Sequence, residues 1–476
     1  MNVAEGIRFI MPEITLLAAA IAVLVFSFFI RSKNILGIFA LLAVAAAALF
    51  LPQGRNAGTA LFFNMLTGDT FSLFFKEIAL FVTAVVILVS MGYKGLTEKY
   101  IGEYYFLLLN AAIAMLLAVS SSNLLMIYLS LEMLSLISYV LTAFLKNDPL
   151  SSEGALKYFL FGALSTGIML YGISLVYGLF GTTDLSAISS DMAAGGINGL
   201  VSIVLLVLIL AGISFKCSLV PFHMWVPDAY QGAPTAVTAF LSVGPKAVGF
   251  AVLLRIFTGS FSAFHTELVG LMTLVAVFTM TVGNVIAISQ TNIKRMLGYS
   301  SIAQAGYMLI GFIVGTASGM EGLFYYLFAY AIMNLGAFGC VILVSNSIKS
   351  DAIEDYAGLS KKDPAAAFML SIFLLSLTGV PPLAGFWGKF MVFNAAIQSK
   401  FVLLAVVGVI NSVVAAYYYM RVIKFMYLNE PNAADFETKP ASLQIALGLL
   451  TAVVLISGLY LTPFLDWIKA SQSFLF

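Results

Sequence analysis

Long apolar blocks alternate with short polar joints along the whole chain. Several blocks reach the roughly 18–20 residues that a helix needs to cross a bilayer. A lipid-exposed backbone must satisfy its hydrogen bonds within its own segment, which excludes an open sheet. The hydropathy pattern therefore predicts an all-α polytopic membrane protein with about fourteen transmembrane helices. The predicted spans are 10–30, 34–51, 71–91, 104–120, 123–145, 156–180, 199–219, 233–257, 265–289, 296–315, 321–345, 366–390, 400–428 and 441–461.

The positions of the prolines indicate an internal repeat. The seventh and twelfth predicted spans, five apart, each combine prolines with a lysine. Discontinuous helices in corresponding places of two halves point to an ion path near the bilayer midplane. We therefore predict two five-helix repeats, spans 4–8 and 9–13, inverted because each holds an odd number of helices. The expected organisation is one transmembrane domain over 1–476, with three N-terminal helices in 1–100, the repeats at 104–257 and 265–428, and a last helix at 441–461.

Composition excludes a soluble domain. Hydrophobic residues make up 61% of the 476-residue chain and charged residues 9%, where an ordinary globular chain carries roughly 25% charged residues. The net charge of +1 suggests neither nucleic acid nor acidic partners. Cys217 and Cys340 lie in separate apolar runs, so we expect packing roles. No phosphate loop, dinucleotide fingerprint, haem or cluster motif is present, and we expect no cofactor on this chain.

The distribution of lysine and arginine predicts the orientation in the membrane. Joints after odd-numbered spans hold thirteen basic residues, and the opposite joints hold five. This bias predicts cytoplasmic odd joints, with both termini outside. The first span is expected to be a retained helix rather than a signal segment, because no small-residue cleavage pattern follows it. The thirteen are Arg31, Lys33, Lys94, Lys99, Lys146, Lys294, Arg295, Lys349, Lys361, Lys362, Arg421, Lys424 and Lys439, and the five are Arg8, Arg55, Arg255, Lys400 and Lys469.

Four charged residues fall well inside predicted spans: Glu132, Lys216, Lys246 and Lys389. Each charge near mid-bilayer costs about 2.5 kcal/mol or more, so such residues are functional candidates by default. A carboxylate that moves toward or away from a buried lysine changes the proton affinity of that lysine. Together the four predict a proton-transfer path. The alternative is a set of static pairs that hold helices together.

Other residues have two or more interpretations. Lys157 lies near a helix end, where it can reach the interface, or it can assist the path. Lys76 is expected to extend to the interface or to anchor on the lipid side, and Glu77 stays open. His223 is expected at the cytoplasmic end of the seventh span, where it either passes protons to Lys216 or caps and packs. His265 is expected in an external joint, and residues 417–419, three tyrosines, in an interfacial belt.

Three segments resemble a known family. They are residues 215–235 (FKCSLVPFHMWVPDAYQGAPT), 290–303 (QTNIKRMLGYSSIA) and 377–390 (LTGVPPLAGFWGKF). These segments are similar to the signatures of the antiporter-like subunits of bacterial NADH:quinone oxidoreductase, respiratory complex I, and the resemblance extends over most of the chain. Tyr230 is similar to the N type of subunit, whereas the M and L types usually carry histidine there. Lys389 fits the N or the L type, whereas the M type usually has glutamate at that position.

The resemblance implies fourteen helices, two inverted repeats and a polar axis along the membrane midplane. It also implies that Glu132 and Lys216 form a coupling pair, that Lys246 is a central relay and that Lys389 is the terminal proton donor. The family usually has a histidine where Gln304 stands here. Because glutamine carries no charge, we expect ordered waters between Lys246 and Lys389.

The implied function is proton translocation driven by quinone reduction in neighbouring subunits. NADH, FMN, iron–sulfur clusters and quinone are then expected in partner subunits, in the cytoplasmic (inner) membrane of a bacterium. The implied partners are the M and L types, the small A, J and K types, the quinone-site H type and the soluble redox arm. The alternatives are a cation/proton antiporter subunit, the equivalent subunit of a ferredoxin-linked or hydrogenase complex, and a purely structural role.

Overall fold

Helices make up most of the computed structural model, which describes residues 3–54, 60–193, 199–261, 265–431 and 440–472. Arg55 and Lys439, which were counted for orientation, lie outside these ranges. A short hairpin pairs Ala60–Leu61 with Leu66–Thr67. The helices are α1 Val3–Phe9, α2 Met11–Ser27, α3 Lys33–Phe50, α4 Thr70–Gly92, α5 Ile101–Ser120, α6 Leu124–Thr142, α7 Pro149–Phe180, α8 Leu185–Ala193, α9 Gly199–Cys217, α10 Val226–Gly232, α11 Thr235–Leu254, α12 His265–Ile288, α13 Ile293–Val314, α14 Ala317–Ile348, α15 Leu359–Lys362, α16 Pro364–Thr378, α17 Ala384–Gln398, α18 Val402–Leu428, α19 Ala441–Leu459 and α20 Thr462–Ser471.

The number of spans agrees with the hydropathy prediction. Within the described residues, 12 helices are long and apolar enough to cross a membrane, and Met11–Ser27 and Pro364–Thr378 are shorter apolar helices. The predicted fold class, a polytopic all-α membrane protein, is confirmed. His265, expected in an external joint, is the first residue of α12.

The seventh and twelfth spans are broken, as their prolines predicted. The seventh consists of α9 and α10, and the twelfth of α16 and α17. Each break contains a cis proline, at Pro221 and at Pro382. The helix α11, in contrast, continues through Pro245. Its neighbours bury the whole of α11, and such packing lets a membrane helix tolerate the backbone hydrogen bond that proline removes.

The centre of the protein consists of α11, α13 and α14. More than nine-tenths of the residues in their most apolar stretches are buried, whereas α7, α12 and α18 bury 39% of theirs. The central helices contact one another and α4, α9, α16 and α17. Polar side chains on α11, α13 and α14 are therefore shielded from lipid, while the outer helices present apolar side chains to it.

One buried ion pair joins two of the N-terminal helices, and a second joins them to the rest of the protein. Lys76 of α4 donates to Glu13 of α2 at 2.7 Å, and both side chains are buried. Because the Lys76 side chain is buried and pairs with a residue 63 positions away in the sequence, the expectation that it extends to the interface was wrong. Arg255, expected in an external joint, is buried and paired with Asp69, the N-cap of α4. Glu77 accepts a hydrogen bond from the Trp467 indole at 2.9 Å.

Candidate functional site

The predicted polar axis begins at Glu132 on α6. Glu132 shares a helix face with Leu125, Leu129 and Leu136, all of which are exposed on the side of the protein. Lys216, at the end of α9, is buried, and Glu132 is the carboxylate that acts on it electrostatically. Neither Glu132 Oε1 nor Lys216 Nζ has a hydrogen-bond partner among the described residues. The two charges are therefore neighbours without a direct ion pair.

Gly249 brings Lys216 next to the helix that carries Lys246. A Cβ atom at Gly249 would lie 2.7 Å from Cys217 Sγ and 3.1 Å from Lys216 Cβ. Gly249 also lies three residues after Lys246, on the same face of α11. The missing side chain thus lets the end of α9 pack directly on α11, one turn from Lys246.

Lys246 is bound to α13. Its Nζ donates to the carbonyl oxygen and to the hydroxyl of Ser301, both at 2.8 Å. Ser301 in turn donates to the Gly298 carbonyl at 2.7 Å. Lys246 is buried, so these oxygens supply the solvation that water would give to a lysine at the surface.

Gln304 lies one turn further along α13, and both ends of its amide are occupied. Its Nε2 donates to the Leu377 carbonyl at 3.0 Å and to the Tyr419 hydroxyl at 3.4 Å, and its Oε1 accepts from the Tyr326 hydroxyl. The Tyr419 hydroxyl also shares a hydrogen bond with Ser300. Gln304 therefore joins α13 to α14, α16 and α18.

Lys389 lies at the far end of the axis, beside the break in the twelfth span. Its Nζ donates to the Thr378 carbonyl at 2.9 Å. The neighbouring Leu377 carbonyl is the acceptor of Gln304. Because the last carbonyls of a helix have no partner within it, the end of α16 offers both acceptors. Gly379, with a φ of +95°, ends α16 there.

A second row of polar groups runs along α11 from one end of the helix to Lys246. Thr235, Thr238, Ser242 and Lys246 are spaced three and four residues apart, so they share one buried face. Thr235 lines a polar cavity of about 350 Å³ between the ends of α4, α11 and α14. This row therefore connects the open end of the bundle with the middle of the axis.

Two side chains of α14 contact this row at Ser242. The Tyr330 hydroxyl donates to the Ser242 carbonyl at 3.1 Å, and Asn334 Nδ2 donates to the Ser242 hydroxyl at 2.7 Å. The buried Asn334 Oδ1 and the Tyr230 hydroxyl have no partner among the described residues. Water is the usual partner of such atoms.

His223 lies away from the end of the seventh span, whereas Lys157 lies near the start of α7 with its side chain 40% exposed. His223 is in the break between α9 and α10, not at the end of the span, because the short helix α10 completes the span. It is buried, and its Nδ1 has no partner within the described part of the chain. Lys157 binds Asp228 at 2.8 Å and Glu153 at 2.6 Å, which indicates a clamp on α10.

Residues at the start of α13 complete this clamp, and the sequence analysis missed them. Lys294 donates to the Gln231 and Ala233 carbonyls at the end of α10, both at 2.8 Å. Arg295 binds the Asp228 carboxylate at 2.5 Å. Lys294 and Arg295 had been counted only as loop charges. The signal available in the sequence was Asn292, which caps the start of α13 shortly before the two charges. The structure shows that this start is buried.

The prediction for the three tyrosines of α18 was wrong for two of them. Tyr417 is 61% exposed, whereas Tyr418 and Tyr419 are completely buried. The helix α18 continues to Leu428, so these residues lie inside the bundle rather than at its surface. Tyr326, Ser301 and Asn334 were also missed, because uncharged polar residues give no distinct hydropathy signal.

The fold and the site define a polytopic membrane protein with a buried line of lysines across its middle. Residues 121–415 match the family model described as "NADH:quinone oxidoreductase/Mrp antiporter, TM". The chain belongs to this family. No group of three or more His, Cys, Asp or Glu side chains in the described residues could hold a metal ion.

Individual relatives agree with the family match. The chain is 40% identical to NADH-quinone oxidoreductase subunit N of Trichlorobacter lovleyi, over 95% of this chain and 94% of the relative. It is also similar to a chain of respiratory complex I from Thermus thermophilus with bound aureothin, with 32% identity and a TM-score of 0.82 over 97% of this chain and 100% of the other. A chain of the Mrp complex from Dietzia shares the fold at 20% identity, with a TM-score of 0.85 over 100% of this chain and 98% of the other.

Replacement of Gly249 by alanine should separate Lys216 from Lys246. The added Cβ would come within 2.7 Å of Cys217 Sγ, a distance that requires α9 to move away from α11. We expect the number of protons pumped per electron to fall at least about twofold, because a shift of about 1 Å disturbs such a contact severely. Gly448→Ala is the matched control, since nothing lies within 4 Å of its added Cβ. Equal stoichiometry in both variants would contradict the role given to Gly249.

Proposed function

We propose that this chain translocates protons as a membrane subunit of an NADH:quinone oxidoreductase. The observation that carries the proposal is the buried line from Lys246 through α13 to Lys389, in which hydroxyl, amide and carbonyl groups follow one another. Lysines that lie in hydrocarbon without solvent are ordinarily retained for function. Relatives with about 40% identity that carry the name of this enzyme support the assignment.

In the proposed mechanism, protons arrive along the row from Thr235 to Lys246. Waters bound at the Tyr230 hydroxyl and Asn334 Oδ1 would carry the proton where successive protein groups are not hydrogen-bonded to each other. A movement of Glu132 away from Lys216 lowers the stability of the Lys216 ammonium, and its proton passes toward Lys246. The proton that leaves the far end of the axis comes from Lys389.

In this mechanism Gln304 does not carry the proton; it fixes the positions of the groups that line the path. Its amide cannot take up and release a proton at neutral pH, and its hydrogen bonds to Leu377, Tyr326 and Tyr419 fix its orientation. The proton therefore passes Gln304 on ordered water. A neutral histidine offers one donor and one acceptor, whereas the amide offers two donors and an acceptor, so histidine could make one of the two donor contacts and the acceptor contact.

The surroundings of the two ends of the axis favour a neighbouring subunit at each end. Glu132 lies on an exposed leucine face of α6, where lipid alone would leave a carboxylate poorly solvated. Lys389 lines a cavity of about 520 Å³ beside exposed side chains of α17 and α18. We infer that neighbouring membrane subunits cover both places. Flavin, clusters and quinone are then bound by other subunits, and the complex lies in the bacterial inner membrane with both termini of this chain outside.

The exchanger alternative is not favoured. The Mrp chain matches at 20% identity, which supports a common fold only. A relative named as a quinone oxidoreductase subunit matches at 40% over nearly the full length of both chains. Coupling to redox chemistry in neighbouring subunits is therefore the better-supported role.

Alanine at Lys216 or at Lys246 should reduce proton pumping and coupled quinone reduction while the complex still assembles. Each change removes the group that holds the proton at one position of the axis. We expect a loss of about tenfold or more in pumping, because a positioned proton-transfer group contributes roughly 100-fold or more to the rate of such a step. The measurement is proton uptake per NADH oxidised in inside-out vesicles, with the exposed Lys424→Ala as control. Unchanged stoichiometry in both variants would remove the basis of the proposal.

Substitution of Gln304 separates its holding role from a charged relay. Gln304→His should keep at least about half of the pumping, because its ring nitrogens can replace one donor contact of the amide and its acceptor contact. Gln304→Leu should lose most of it, since the Leu377 carbonyl and the Tyr326 hydroxyl would lose their partner. Pumping rates at equal amounts of assembled complex test this. Normal pumping by the leucine variant would show that Gln304 does not hold the path.

Mass spectrometry of the gently solubilised native complex tests the partners. We expect a quinone-site membrane subunit and soluble subunits with flavin and clusters to accompany this chain. Copurification of small antiporter subunits without any redox protein would instead support the exchanger role.

A further inference from the structure

The ammonium of Lys389 lies over the face of an aromatic ring. Its Nζ is 4.5 Å from the centre of the Tyr307 ring and 2.9 Å from the Thr378 carbonyl oxygen. Within the described part of the chain, no carboxylate lies within the 4.0 Å of this nitrogen that an ion pair requires. A cation over an aromatic face is attracted by the negative face of the ring, more strongly where water is excluded.

A network of buried amides and hydroxyls holds the Tyr307 ring. Asn284 Nδ2 donates to the Tyr307 hydroxyl at 2.9 Å, and Asn284 Oδ1 accepts from the Tyr418 hydroxyl at 2.9 Å. Asn284 Nδ2 also lies 3.3 Å from Asn411 Oδ1. These residues come from α12, α13 and α18, and each is at most 5% exposed. A satisfied buried network of this kind fixes the orientation of its members.

Lys389 borders a large cavity that the Tyr307 ring does not line. Lys389, Thr378 and Ser412 line the cavity of about 520 Å³ together with apolar side chains, and Tyr307 does not. Phe390 and Val413, at the mouth of this cavity, are 48% and 70% exposed. The flexible stem of a lysine therefore has space to turn outward. The contact with Tyr307 opposes that movement.

We propose that Tyr307 is a positioning residue, which holds the Lys389 ammonium against the Thr378 carbonyl and away from the cavity. The Asn284–Tyr418–Asn411 network keeps the ring in place for this purpose. The proposal rests on the proposed function, in which Lys389 is the terminal proton donor. The proposal adds that Tyr307 sets the position of the Lys389 ammonium before the proton is released.

The test compares side chains of similar size with and without an aromatic face. Tyr307→Phe keeps the ring face but loses the hydroxyl that Asn284 binds, so it should pump less than the native complex and more than Tyr307→Met. Tyr307→Met fills much of the space without a ring and should pump about threefold fewer protons per NADH oxidised. Phenylalanines with increasing fluorination at position 307 should lower pumping stepwise, because fluorine weakens the negative face of the ring while the shape stays nearly constant.

The controls separate packing from positioning. Tyr105→Met truncates another fully buried tyrosine, on α5 outside the axis, and should leave the stoichiometry of the assembled complex unchanged. Equal pumping across the fluorinated series, or normal pumping by Tyr307→Met, would overturn the positioning role. Lys389→Ala distinguishes the two levels of the argument. If it leaves pumping intact, the role of Lys389 falls, and this proposal with it. If it stops pumping while Tyr307→Met does not, only the positioning role falls.

Discussion

The cost of a charge without solvent governs the arrangement of this protein. Besides Lys294, four lysines lie buried within the described spans, and each is stabilised differently. Lys76 has a carboxylate, Lys246 has the two oxygens of Ser301, and Lys389 has a carbonyl and a ring face. Lys216 has the electrostatic influence of Glu132 and the Phe215 ring, whose centre lies 5.8 Å from Nζ, but no hydrogen bond among the described residues. The central helices α11, α13 and α14 must be buried together, because they supply or shield most of these contacts.

The carbonyl ends of helices within the two broken spans provide acceptors that a continuing helix would use internally. The end of α16, at the break in the twelfth span, offers the Leu377 and Thr378 carbonyls to Gln304 and Lys389. The end of α10, where the seventh span finishes, offers carbonyls to Lys294. The C-terminal end of a helix carries a partial negative charge, so it favours a cation there. A lysine thus lies at the carbonyl end of one helix in each broken span, although only Lys389 lies on the axis.

The sequence predicted the spans and the charged members of the site because both follow from one property, the cost of polarity in lipid. It predicted the broken helices from their prolines, but not the continuity of α11 through Pro245, which depends on burial by neighbours. The partners of the lysines were not predictable. Glu13, Ser301 and Tyr307 come from distant parts of the chain, and the rotation of each helix decides which polar side chains meet.

The two ends of the axis differ in how firmly their lysine is held, and this difference has a consequence for the proposed direction of control. Lys389 is fixed by a hydrogen bond and a ring, so its release requires an exchange of partners. Lys216 has no hydrogen bond to break among the described residues. A small movement of Glu132 is then enough to change the stability of its charge. Glu132 lies on a face that a neighbouring subunit can touch. A conformational change in that subunit can therefore alter the charge stability of Lys216 with a smaller movement than Lys389 would require. The Lys389 end is better suited to retain a proton until the rest of the axis has responded.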